Sequence, residues 1–156
     1  MTSSIRAHLI MVVTIFAGGC AAPWPVMAPV DKLHSSHVID GSLTDQQVKQ
    51  AILVGAADAG WRAKDLGNDK ILASFSFKTH GVNVEIDYTG SSYSTHYESS
   101  YGMKTFCTEH DKKTYKTIVS GKADCPDYRP PAYIYMSYKN WVDSLDRSIQ
   151  SSLAAM

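Results

Sequence analysis

The stretch Val82-Asn83-Val84-Glu85-Ile86-Asp87-Tyr88-Thr89-Gly90-Ser91-Ser92-Tyr93-Ser94-Thr95-His96-Tyr97 decides the fold. Val82, Val84, Ile86 and Tyr88 alternate with Asn83, Glu85 and Asp87, and Tyr93, Thr95 and Tyr97 alternate with Ser92, Ser94 and His96. A period of two marks half-buried strands with one apolar and one polar face. Gly90-Ser91 between them predicts a two-residue turn, with glycine at the first central position of a type II′ geometry. That turn sets Tyr88 opposite Tyr93, Ile86 opposite Thr95 and Val84 opposite Tyr97. On the polar face it sets Glu85 opposite His96.

Upstream, Ile71, Ala73, Phe75 and Phe77 alternate with Leu72, Ser74, Ser76 and Lys78. His80-Gly81 as a type I′ turn opposes Phe77 to Val84 and Phe75 to Ile86. A register two residues away also keeps the faces, so alternation leaves both open. Before these strands, Thr44 and Gln47 form a capping-box pattern, and Asp45 suits the positive end of a helix. Val48, Ala51, Ile52, Gly55 and Ala59 then share one face, whose small residues imply close approach to a neighbour. Gly60 supplies a left-handed helix end, and Trp61 folds back on the last turn. Near the C-terminus, Tyr138, Trp141, Val142, Leu145 and Ile149 trace a second helical stripe, with Ser137 as its candidate cap. The expected fold class is α+β: a two-layer α-β-β-β-α domain over residues 44–156, with a three-stranded antiparallel meander and two helices on one face.

The N-terminus carries a different signal. Arg6 precedes the apolar run Leu9-Ile10-Met11-Val12-Val13-Thr14-Ile15-Phe16-Ala17, which closes on Gly18-Gly19-Cys20. This pattern reads as a secretory signal over residues 1–19. The run is shorter than the roughly 20 apolar residues a spanning helix needs. Ala17-Gly18-Gly19-Cys20 resembles the lipobox of bacterial lipoproteins, in which position 17 is more often Leu. The resemblance implies lipidation of Cys20 and a membrane held through that anchor; cleavage after Ala22 is the competing expectation. Ala21 is not the aspartate associated with inner-membrane retention, so the analogy implies the outer membrane and a periplasm-facing domain. Residues 20–43, with Pro23, Pro25 and Pro29, read as the lipidated cysteine and a flexible tether reaching about 65–70 Å at full extension.

The chain holds 3 cysteines. With lipid on Cys20, Cys107 and Cys125 remain as a disulfide pair in an oxidising compartment. Their bond would close a loop of about 18 residues and contribute about 3 kcal/mol. That loop, Met103 to Pro131, also holds Lys112-Lys113 and Pro130-Pro131, and Thr114 to Ser120 has some strand character. With 15 basic and 15 acidic side chains, nothing in the charge balance points to nucleic acid. No oligomeric state is read from the sequence.

Gly60-Trp61, the paired alternating strands, Ser92-Tyr93-Ser94 through Tyr97, and Tyr138-Lys139-Asn140-Trp141-Val142 together resemble a group of small, uncharacterised lipoproteins of Gram-negative bacteria with an α-β-β-β-α domain. The likeness spans Thr44 to Ile149, apart from a longer cysteine loop here. It implies a fold and an envelope location, and no activity.

The sharpest chemical candidate is Glu85 with His96, since a carboxylate beside an imidazole can orient it for general acid–base work. The plainer expectation is an exposed cross-strand charge pair. Glu109-His110-Asp111 lies in the polar loop and reads as solvated. His34 and His37 in the tether lack fixed geometry for a metal. Tyr88, Tyr93, Tyr97, Tyr101, Tyr133, Tyr135 and Tyr138 read mainly as core, and Lys112, Lys113, Lys116 and Lys122 as loop cations. The chain has no G-x-S-x-G, H-E-x-x-H, phosphate-loop or dinucleotide fingerprint. No catalytic, cofactor or metal residue is therefore assigned. The expectation is a non-enzymatic envelope lipoprotein that meets another envelope protein. The alternative is a small periplasmic hydrolase or ligand-processing enzyme using Glu85 and His96.

Overall fold

A computed structural model describes residues 27–41, 43–108 and 131–156. Its chain order is β1 (Met27–Pro29), a 3-10 turn (Val30–Lys32), β2 (Ser35–Val38), α1 (Asp45–Asp58), β3 (Arg62–Gly67), β4 (Lys70–Phe77), β5 (His80–Thr89), β6 (Ser92–Tyr101), β7 (Thr105–Phe106), β8 (Tyr133–Tyr135) and α2 (Met136–Ala154). The architecture is α+β, with two antiparallel sheets. One has five strands in the order β2-β6-β5-β4-β3, and the other has three in the order β1-β8-β7. The expected three-stranded meander is present as β4-β5-β6, but it is the interior of a wider sheet.

The β5–β6 hairpin has the register read from its turn. Tyr88 pairs with Tyr93, Ile86 with Thr95, Val84 with Tyr97, and Glu85 with His96. Gly90 acts differently from expectation, because it is not in the left-handed region. A Cβ there would strike the Leu43 carbonyl ahead of α1. Glycine is therefore needed for close approach and not for its φ. A shift between Asn83 and Val84 lets Tyr97 and Ser100 both reach the covered face, and their hydroxyls lie 2.9 Å apart.

The first hairpin departs from the expected turn. Phe77 pairs with His80, Phe75 with Val82 and Ala73 with Val84, so Lys78-Thr79 makes the turn. Lys78 takes a φ of 56°. The slip is even, so the faces are unchanged. It is selected further along the sheet, where Gly81 pairs with Tyr101 and the tyrosine ring fills the space a Cβ would occupy.

Five strands went unread, among them the two-residue β7. The supposed tether contributes β1 and β2, and Ala28, Val30 and Leu33 are core residues at 3%, 2% and 8% exposure. Their strands run only 3 and 4 residues, too short to show a period. Pro29 stands on an edge strand of the small sheet, a position that needs no ladder N–H on one side. Strand β3 is an exposed edge whose turn uses Asn68 and Asp69 at φ 51° and 58°, a type I′ signature. Strand β8 runs directly into α2, so Tyr135 occupies the N-cap position without a side-chain cap bond, and Ser137 lies inside the helix.

Helix α1 begins and ends as its sequence indicates. Thr44 and Gln47 form the reciprocal capping box. At the other end Gly60 has φ 78°, its N–H donates to Ala57 O, and the Trp61 N–H donates to Ala56 O at 2.8 Å. Both helices lie on the apolar sheet face, over Val82, Val84 and Ile86, which are at most 1% exposed. Trp61 and Trp141 flank Phe75, with ring centroids 5.4 and 5.0 Å away.

The two helices meet where a Cβ on Gly55 would lie 2.6 Å from Ile149 Cα. Alanine normally gains about 1 kcal/mol over glycine inside a helix. Forcing apart two backbones costs about 1–3 kcal/mol, so Gly55→Ala should lower the urea midpoint and Gly55→Val should lower it further. An alanine variant more stable than the parent would contradict this contact.

Candidate functional site

The face of the five-stranded sheet opposite the helices carries Lys70, Leu72, Ser74 and Ser76 from β4, Asn83, Glu85 and Asp87 from β5, and Ser94, His96 and Ser99 from β6. Register places Lys70 opposite Asp87 and diagonal to Glu85. Its ammonium bonds Glu85 and lies 2.8 Å from Asp87. Hydrogen bonds donated to Asp87 and then to Glu85 hold the pKa of the Lys70 ammonium above its ordinary value.

Glu85 therefore faces Lys70 and not the histidine across from it. His96 turns to the diagonal carboxylate, with Nε2 3.2 Å from Asp87 Oδ2 and 3.0 Å from Ser94 Oγ. A serine–histidine–carboxylate relay needs the acid on one ring nitrogen and the hydroxyl on the other. Here both contacts fall on the same nitrogen, so the set cannot pass a proton from Ser94 toward Asp87. The ring of His34 stands 5.2 Å from that of His96, and its Nδ1 reaches the Thr95 carbonyl at 3.4 Å.

A second cluster lies on the helix side of β2, around Asp146 of α2. Tyr93 Oη donates to Asp146 Oδ1 at 2.8 Å, and Ser35 Oγ donates to the same oxygen at 3.3 Å. Gln150 Nε2 donates to Oδ2 at 2.9 Å. His37 Nε2 is 2.8 Å from Oδ2, yet it lacks an aligned hydrogen bond, so the contact is one of proximity and charge. The His37 ring stacks on Tyr93 at 5.0 Å and 22°. Ser35 also meets Thr95 Oγ1 at 2.7 Å. This serine bonds the acid and not the imidazole, so here too the three residue types are joined in a structural order.

Asp146 thus ties β2, β6 and α2 together. His34 and His37 stand on opposite faces of the sheet, apart from each other. Among the described residues, no three His, Cys, Asp or Glu side chains gather as a metal site requires. Cys107 sits half-buried just after β7. Cys20, Cys125, Glu109-His110-Asp111, Thr114 to Ser120, and Lys112, Lys113, Lys116 and Lys122 lie outside the described residues. Sequence reasoning missed Lys70, Asp87 and Asp146. The first two share the polar face with Glu85 by alternation, and Asp146 directly follows Leu145 on the rim of an apolar stripe.

Compared with known proteins, the chain matches no family model, no curated protein and no solved structure.

Asp146→Ala should release β2. Hydrogen bonds to a charged group contribute about 1.5–3 kcal/mol, and amide exchange should quicken at Ile39, Tyr93 and Thr95 while the amide of Val84 stays protected. Equal acceleration at Val84 would mean that Asp146 supports the whole core.

Alkaline pH offers a second test. Burial, and then the bond to Asp146, push the Tyr93 hydroxyl up, and burial does the same for Tyr138. Unfolded tyrosines ionise near pH 10 while these remain protonated in the fold. The unfolded chain therefore binds fewer protons above about pH 10, so stability is intact below that pH and falls as pH rises through it. Tyr93→Phe should flatten the decline in denaturant titrations; an unchanged slope would contradict the assignment.

Proposed function

We propose that this protein is a bacterial envelope lipoprotein, lipidated on Cys20, held in the outer membrane and facing the periplasm, where it acts as a non-enzymatic interaction or assembly accessory. The wiring of the open sheet face carries the non-enzymatic part. Lys70 occupies Glu85, and a single nitrogen of His96 meets both Asp87 and Ser94. Such satisfied, solvated pairs are suited to surface recognition and leave no free base poised beside a nucleophile.

The envelope location is supported by Arg6, the apolar run after it and Gly18-Gly19-Cys20. A Cys107–Cys125 disulfide, closing the connection between β7 and β8, belongs to the same proposal. The partner is another envelope protein, and the balanced charge gives nucleic acid no foothold.

Cys20→Ser should abolish fatty-acid labelling and shift the protein out of the membrane fraction; a retained label would refute anchoring at this residue. The double variant Glu85→Gln, His96→Ala should fold, localise and rescue a deletion strain as the parent does. Loss of rescue by a folded, correctly placed double variant would move the function toward acid–base chemistry.

A further inference from the structure

We propose that the outer edge of β2, with the groove between it and the C-terminal end of α2, takes up an extended segment of a partner protein carrying one basic and one apolar side chain, as an added strand. This deepens the interaction reading and rests on it.

Backbone parity supplies the first argument. The Ile39 N–H donates to Ser91 O at 2.8 Å, in step with the pairs His37–Tyr93 and Ser35–Thr95. In an antiparallel pair, alternate residues turn their N–H and C=O toward the neighbour and the rest turn theirs away. Ser36 and Val38 therefore point theirs outward. Strand β2 ends the sheet, so among the described residues no strand receives them.

The two sheet edges are treated differently. Strand β3 carries Arg62, Lys64 and Asp65 and a register shift between Asp65 and Gly67, and charge with irregularity blunts an edge against added strands. Strand β2 carries Ser35, Ser36, His37 and Val38, and Val38 is 83% exposed. It lacks the charges and the bulge that protect the other edge.

A groove of about 260 Å³ runs beside it, lined in part by Val38, Ile39, Asp40, Gln150, Leu153 and Ala154. Leu153 and Ile39 offer an apolar floor for one side chain of an incoming strand, whose alternate residues would point toward it. The charge of the rim selects the other. Asp40 lines the groove, and Asp146 is already engaged by His37 and Gln150, so Asp40 supplies the charge. The last turn of α2 has no basic residue to offset the negative end of its dipole. A lysine or arginine on the partner meets this rim; a glutamate is repelled.

The test uses the full mature chain in detergent micelles and two six-residue peptides of alternating valine and threonine, one with a lysine and one with a glutamate in its place. The lysine peptide should bind and shift the amide resonances of Ser36 and Val38, with the glutamate peptide roughly tenfold weaker. Val38→Pro removes an outward N–H that no described strand receives and should abolish binding. Asp40→Lys keeps every backbone donor and should reverse the preference between peptides. Failure of both peptides to bind, or undiminished binding by a folded Val38→Pro variant, would overturn the proposal. A photo-crosslinker at Val38 and another at Ser76 on the open face then separate the two readings in cells. A partner captured at Ser76 alone overturns the β2 site and leaves the interaction reading standing; capture at neither position counts against both.

Discussion

Two helices can share one face of this sheet because Gly55 lets α1 come into backbone contact with α2 at Ile149. Five strands spaced about 4.8 Å apart make a sheet roughly 20 Å wide between its edge strands, and two helices 8–10 Å apart just cover its middle. A wider helix pair would open a gap over β5, the central strand. Val84 and Ile86 there are fully buried, and a gap above them would strip both of their packing partners. The closeness of two backbones therefore sets how well the core is sealed.

The interior of the sheet was legible and its margins were not, for one physical reason. Strands β5 and β6 each run 10 residues, long enough for alternation to declare itself, and their shared turn left a single register. The margins are strands of 2 to 6 residues, whose few side chains cannot display a period. Tertiary contacts recruit them: Ala28, Val30 and Leu33 are buried by elements far along the chain. The β4–β5 turn shows the same limit. Alternation is blind to an even slip, and the packing of Tyr101 on Gly81, distant from the turn, decides between alternatives.

At the candidate site, sequence placed Glu85 opposite His96 correctly but could not tell which neighbour each would choose. That choice belongs to Lys70, a residue on a third strand. Its two carboxylate contacts convert an apparent acid–base pair into part of a lattice of ion pairs across β4, β5 and β6. Asp146 plays the corresponding role on the other side, where it collects a tyrosine, a serine, a glutamine and a histidine from three elements. In both clusters the residue types associated with catalysis are present, and their contacts tie neighbouring elements together.

The place of β1 (Met27–Pro29), close after Cys20 in the chain, has a consequence for the proposed anchoring. Were Cys20 lipidated as proposed, Met27 would stand at most about 23 Å from the anchor, the full reach of the residues between them. Strand β1 pairs with β8, which leads into the start of α2, so the anchor would hold that end. The opposite end of α2 lies about 28 Å further along, by the rise of 19 helical residues. A molecule moored in this way is polarised like a buoy. In the proposed arrangement its β1–β8–β7 end would stay near the headgroups, while the tip of α2 and the last residues of β2 would stand off into the aqueous space, where a partner in the periplasm would meet them first.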